Sequence, residues 1–213
     1  YAAPMPLLWG GVTVAYAAFL AIAQNERDLL RRISWMTVGA GGLLLVGVAG
    51  LEELSILGAW MHASGQALPR VGLLLLAHWI TSTGARGGSV AAIWVALALG
   101  LTAAPGLALF PGWLFIVTGT ADTIVVSLLI VAGAVGSFAL IAPAMHLAGG
   151  NAGPPMPAAL SRLLLAVMVA IVSIGLAPGA LVTRAHLDVE RLLERGVEAP
   201  TTEDEAVMDG ESR

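Results

Sequence analysis

His62, Gln66 and Arg70 fall at i, i+4 and i+8 within "MHASGQALPRVGLLLLAHWI", residues 61–80, which stacks them on one face of a helix. The residues around them are those of a membrane span. A polar seam of this kind suits the handling of ions or protons, not bond-making. Pro69 removes a backbone hydrogen bond beside Arg70, and freed carbonyls next to a cation suit a wet cavity. A central arginine costs about 2.5–3.5 kcal/mol on insertion scales, so its side chain should face protein or water. Two other readings stay open. Arg70 pairs with an acid or carbonyls of a neighbouring helix and only locks the fold, or the span starts near Val71 and Arg70 is an interfacial anchor.

Four further residues are weaker candidates. Asp122, in "GTADTIVV", reads as a helix N-cap or a proton carrier. Glu52 and Glu53 follow an apolar run and read as a solvated loop or as carboxylates at a channel mouth. Trp113, after "LFPG", reads as apolar filler or an interfacial anchor. His62 and His146 could ligate haem between helices, but two histidines on different spans are common by chance. No nucleophile–base pair and no metal-ligand spacing stands out. No catalytic residue, metal or cofactor is expected.

These residues need a membrane to make sense of them. The chain has 213 residues, 58% hydrophobic and 11% charged, with a mean hydropathy of +0.88. That is too apolar for a soluble domain. All ten basic residues are arginines and they are scattered, so a nucleic-acid surface is excluded. With no cysteine there are no disulfides, thiolate zinc sites or cysteine-ligated clusters. The chain begins at Tyr1 with no basic n-region before Leu7, so a signal peptide is not expected and a fragment or trimmed form is.

A crossing helix needs about 20 apolar residues. Six regions qualify, at about 5–24, 33–51, 55–81, 89–119, 121–147 and 158–178, the fourth interrupted by "AAPG" and "LFPG". In the third, Arg70 lies about 23 Å along a helix of about 40 Å, near mid-depth. The expected fold is therefore an all-α integral membrane protein with a transmembrane domain over 1–183. An amphipathic surface helix over 184–197 and a disordered acidic tail over 198–213 should follow. Arg27, Arg31, Arg32, Arg86 and Arg162 flank loops on one face, which the positive-inside rule makes cytoplasmic, while Arg184, Arg191 and Arg195 counter it. Runs such as "VGAGGLLLVGVAG" read as close helix packing by small residues, not as phosphate loops.

Four stretches, in this order, resemble the antiporter-like membrane subunits shared by respiratory complex I, Mrp-type sodium/proton antiporters and membrane-bound hydrogenases. "AAFLAIAQNERDLLRRISWMTVGAGGLLLVGVAGL" is similar to that family's helix, Asp-x-Lys-Arg junction and following glycine-rich helix. "SGQALPRVGLLLLAHWI" is similar to its His-x-x-x-Lys helix, "GLTAAPGLALFPGWLFI" to its broken helix and "IGLAPGALV" to the close of its last helix. The likeness covers most of residues 5–183 and implies the second of two inverted repeats. It also implies other membrane subunits as partners, a bacterial plasma membrane as the location, and service in an NADH-quinone oxidoreductase or related ion pump.

Residue by residue, the resemblance puts Gln66 on the family's histidine and Arg70 on its lysine. Leu30 stands for the junction lysine and Trp113 for the acid or base of the broken helix, whereas Asp28 and Arg31 match the junction. A guanidinium stays protonated at any working pH, and glutamine does not titrate. The architecture is kept and the proton chemistry is thinned. Two functions follow: a subunit translocating H+ or Na+/H+ with a weakened relay, or a non-conducting scaffold descended from the same fold.

Overall fold

The computed structural model describes residues 5–24, 28–50, 52–150, 153–179, 182–183 and 186–187. The surface helix and acidic tail expected over 184–197 and 198–213 lie outside the described residues, apart from His186 and Leu187. So does Arg27.

Among the described residues the chain is helical. In order the helices are α1 (Met5–Ala23), α2 (Leu29–Ala49), α3 (Glu53–Gly65), α4 (Ala67–Thr83), α5 (Gly88–Leu101), α6 (Phe110–Gly119), α7 (Thr123–Ile141), α8 (Pro143–Ala148) and α9 (Ala158–Leu176). Four stretches are long and apolar enough to cross a membrane unaided: α1, α2, α7 running into α8, and α9. The other two crossings are each pieced together, α3 with α4 and α5 with α6. Six crossings result among the described residues, and the fourth is broken as its sequence requires.

Each interruption has a local chemical cause. Between α3 and α4 the ladder almost continues, since Gln66 N–H donates to the His62 carbonyl and Arg70 N–H to the Gln66 carbonyl. Pro69 has no N–H to give the Gly65 carbonyl, and the helix kinks there. Between α5 and α6 the helix unwinds over 102–109. Ala103 and Gly106 take positive φ values of 52° and 82°, and short turns from Leu107 N–H to Ala104 and from Phe110 N–H to Leu107 restart the helix. Pro111 then sits in the first turn of α6, where a missing N–H costs nothing. Pro143 interrupts α7 and α8 in the manner of Pro69.

Because lipid is as apolar as leucine, close backbone approach decides which helices meet. A Cβ on Gly42 of α2 would come within 2.8 Å of the Gly10 carbonyl of α1, so α1 and α2 touch through glycine. The same holds for α3 and α6. A Cβ on Gly58 would meet Ile116 N at 2.7 Å, and one on Gly112 would meet His62 N at 2.6 Å. The glycine-rich stretches therefore pack helices, as their composition predicts. A core of Leu73, Leu76, Trp94, Leu97, Leu140, Leu164 and Ile171 joins α4, α5, α7 and α9. The outward faces of α1, α7 and α9 carry exposed Trp9, Tyr16, Phe19, Val131, Phe138, Leu165 and Val169, as lipid-facing surfaces do.

The C-terminal ends of α4 and α8 meet at one end of the bundle. There Gly87 N–H donates to the Leu147 carbonyl at 2.8 Å, and Arg86 lies over Gly150. Arg31 lies near the start of α2, Arg86 after α4 and Arg162 in the first turns of α9. Arg32 does not stay at the surface. The second crossing begins at Leu29, earlier than residue 33, and Arg32 is drawn inside at 2% exposure. At the opposite end His186 Nδ1 stands 3.1 Å from Glu53 Oε1, both side chains exposed.

Candidate functional site: a cavity beside the broken helices

The kink of α3–α4, the unwound segment between α5 and α6, and the inner faces of α2 and α7 enclose a cavity of about 250 Å³. His62, Gln66 and Arg70 line it as one stripe, as their spacing predicts. Trp113 joins them from the first turn of α6, so the broken helix brings a residue from the next crossing to the same space. Thr37 of α2, Thr102 of the break and Ser137 of α7 complete its polar wall.

Position along the helices decides how each side chain is held. His62 and Gln66 are buried, and Arg70 is half-buried. His62 is pinned through its backbone, because α6 presses on it at Gly112. Its Nδ1 is enclosed with no hydrogen-bond partner. Arg70 donates from one terminal nitrogen to Gln66 Oε1, one helical turn back. The hydroxyls are committed to their own helices: Thr37 donates to the Ile33 carbonyl, Thr102 to Leu99 and Ser137 to Gly133. Leu43, Leu101, Leu109, Leu129 and Leu140 make up much of the remaining wall.

The other candidates do not reach this space. Asp122 caps α7, its Oδ1 accepting from Ile124 N–H and Val125 N–H, each at 2.9 Å. Glu52 precedes α3 and Glu53 begins it, both exposed at the membrane end. Among the described residues no cluster of histidine and carboxylate residues could hold a metal ion. Two polar anchors lay outside the sequence reading. Arg32 donates to the Ala139 carbonyl at 2.8 Å and to the Gln24 carbonyl at 2.7 Å, and Trp94 Nε1–H donates to the Leu140 carbonyl at 2.7 Å. Pro143 was the available signal, because a proline inside an apolar run leaves a carbonyl one turn upstream in need of a donor.

Six crossings, a broken helix set against a kinked one, and a polar stripe between them define an integral membrane protein of the antiporter-like fold. The resemblance read from the four stretches is borne out by the comparisons. The chain is similar to NAD(P)H-quinone oxidoreductase chain 4-1 of Synechocystis sp., at 27% identity over 133 residues, covering 57% of this chain and 25% of that relative. It is similar to chain 4 of Prochlorococcus marinus (strain MIT 9301), at 26% over 129 residues, covering 55% and 24%. Against the chloroplastic chain 4 of Chaetosphaeridium globosum the identity is 31% over 74 residues, covering 35% and 14%. Alignments to these curated relatives thus span at most about a quarter of their length. No family model matches the chain.

Among solved structures, a chain of respiratory complex I from Thermus thermophilus with bound NADH superposes with a TM-score of 0.80. Its identity is 19%, with 87% of this chain and 43% of that chain covered. A chain of the membrane-bound sulfane sulfur reductase, an archaeal respiratory membrane complex, gives 0.75 at 20% identity, covering 87% and 42%. These likenesses establish the fold.

Proposed function

We propose that this chain forms part of a membrane subunit of an ion-translocating complex of the complex I/Mrp antiporter type, carrying H+ or exchanging Na+ for H+. One observation carries the reading: His62, Gln66, Arg70 and Trp113, drawn from two interrupted crossings, line one cavity inside the membrane-spanning bundle. Unwound backbone is tolerated at membrane depth where it is buried or lines a wet cavity, so the break over 102–109 belongs with this cavity. Within it Arg70 supplies a fixed positive charge that shapes the field along the ion's route, and His62 is the titratable group. The relay is weaker than one built on lysines. The redox or gradient energy comes from other membrane subunits, as in an NADH-quinone oxidoreductase or a related pump. The membrane is the bacterial plasma membrane, with the end carrying Arg31, Arg86 and Arg162 facing the cytoplasm.

A second reading is a non-conducting structural subunit of such a complex. It is favoured by the absence, among the described residues, of any lysine or carboxylate from the cavity wall. The mass and subunit composition of the gently solubilised native assembly separate the two. Co-purification with other antiporter-like subunits, and ion flux in vesicles that falls in Arg70→Ala and is retained in Arg70→Lys, support translocation. Flux indifferent to Arg70→Ala in an intact assembly leaves the structural reading.

A further inference from the structure

The cavity around Arg70 offers many donors. A guanidinium has five N–H groups. Arg70 directs one to Gln66 Oε1, and among the described residues nothing else accepts from it. The amide nitrogen of Gln66 and the Nε1–H of Trp113 likewise have no acceptor among the described residues. His62, nine-tenths buried on the same wall, keeps Nδ1 unpartnered. Among the described residues no carboxylate answers them, for Asp28, Glu52, Glu53 and Asp122 all stand at helix ends. A cation held in a membrane interior calls for a counter-charge, and unanswered donors call for lone pairs. One species supplies both.

We infer that the cavity is a binding site for a small monovalent anion, seated against Arg70 with Gln66 and Trp113 as further donors. The single positive charge sets the valence, because a divalent anion would arrive with one charge uncompensated. The leucine wall sets the hydration, since an anion that holds its water weakly loses least on entering. Iodide and nitrate therefore bind ahead of chloride, and sulfate does not bind. About 250 Å³ holds such an ion with several waters. The inference rests on the same cavity as the proposed function but concerns equilibrium binding alone. Loss of the anion site would leave the flux result standing, and loss of flux would leave the binding result standing.

Trp113 is the reporter. Iodide quenches the emission of a tryptophan it touches, so the full chain in phosphatidylcholine nanodiscs is titrated with iodide against sulfate at constant ionic strength. The expected result is a saturating component above the linear collisional one, reversed by chloride, which does not quench. That component disappears in Trp113→Phe, weakens by about tenfold or more in Arg70→Gln, and persists in Arg70→Lys. Purely linear quenching of the wild-type chain overturns the inference. So does a saturating component that survives Trp113→Phe, which would put the ion elsewhere, or one that is unchanged in Arg70→Gln. The first two outcomes need no folded arginine variant.

Discussion

The guanidinium of Arg32 donates to the carbonyl of Ala139, 107 residues further along the chain, at 2.8 Å. Ala139 is the residue whose carbonyl Pro143, four positions later, leaves without its helical N–H. A buried cation on α2 therefore completes the hydrogen bonding of a proline break on α7. Trp94 does the same for the next carbonyl, at Leu140. Together they tie α2 and α5 to one turn of α7, so the break is fixed in place and does not act as a loose hinge.

Removing this donor leaves a buried carbonyl unsatisfied. Arg32→Met is expected to lower stability by about 1.5–3 kcal/mol, the range for hydrogen bonds to charged groups. Pro143→Ala returns an N–H to Ala139, so the double variant should recover part of the loss. Unfolding in mixed micelles measures the coupling as a double-mutant cycle. Strictly additive effects would show that the Ala139 bond does not depend on the proline.

Ala103 carries the strain of the broken crossing. A non-glycine residue at φ 52° is disfavoured by roughly 1–2 kcal/mol. Ala103→Gly should relieve about 1 kcal/mol, allowing for the entropy that glycine adds to the unfolded chain. A thermal midpoint a few degrees above wild type is the expected readout. A lower midpoint would mean that the segment over 102–109 gains nothing from glycine there.

Glycines in this protein divide by what a Cβ would meet. On Gly112 it would strike the His62 backbone nitrogen at 2.6 Å, whereas on Gly41 it would find nothing within 4 Å. Gly112→Ala is expected to cost about 1–3 kcal/mol as α3 and α6 are forced apart. Gly41→Ala should be neutral or stabilising by up to about 1 kcal/mol through helix propensity. Equal responses at the two positions, in the same unfolding assay, would contradict the packing described between α3 and α6.

Asp122 is a cap first. Its Oδ1 serves two backbone N–H groups of α7, so Asp122→Ala should cost about 1 kcal/mol. Asp122→Asn keeps the cap but cannot exchange a proton. Stability and flux near wild type in Asp122→Asn are the expected pair of results. Lost flux with stability intact would return Asp122 to the proton route.

Much of this architecture was legible before folding. The six crossings follow from apolar length, since burial in hydrocarbon is counted residue by residue and needs no partner. Pro69 and Pro111 mark interruptions for an equally local reason, a missing N–H. The stripe of His62, Gln66 and Arg70 is helical arithmetic. Even Asp122 announces its cap two residues ahead of an apolar run.

Contact between crossings was decided only by the tertiary structure. Lipid offers an apolar side chain the same environment as another helix, so hydrophobicity does not choose neighbours; shape does. Whether a Cβ fits over Gly10, Gly58 or Gly112 is a matter of three-dimensional register that no local pattern encodes. Trp113 therefore reached the stripe from a different crossing, whereas Glu52 and Glu53 stayed at the membrane end. Arg32 looked like one more loop arginine, because its acceptor belongs to a helix more than a hundred residues away. The sequence determined a membrane bundle with breaks and one buried polar stripe. Packing of glycine faces determined that the breaks meet around that stripe and enclose a cavity.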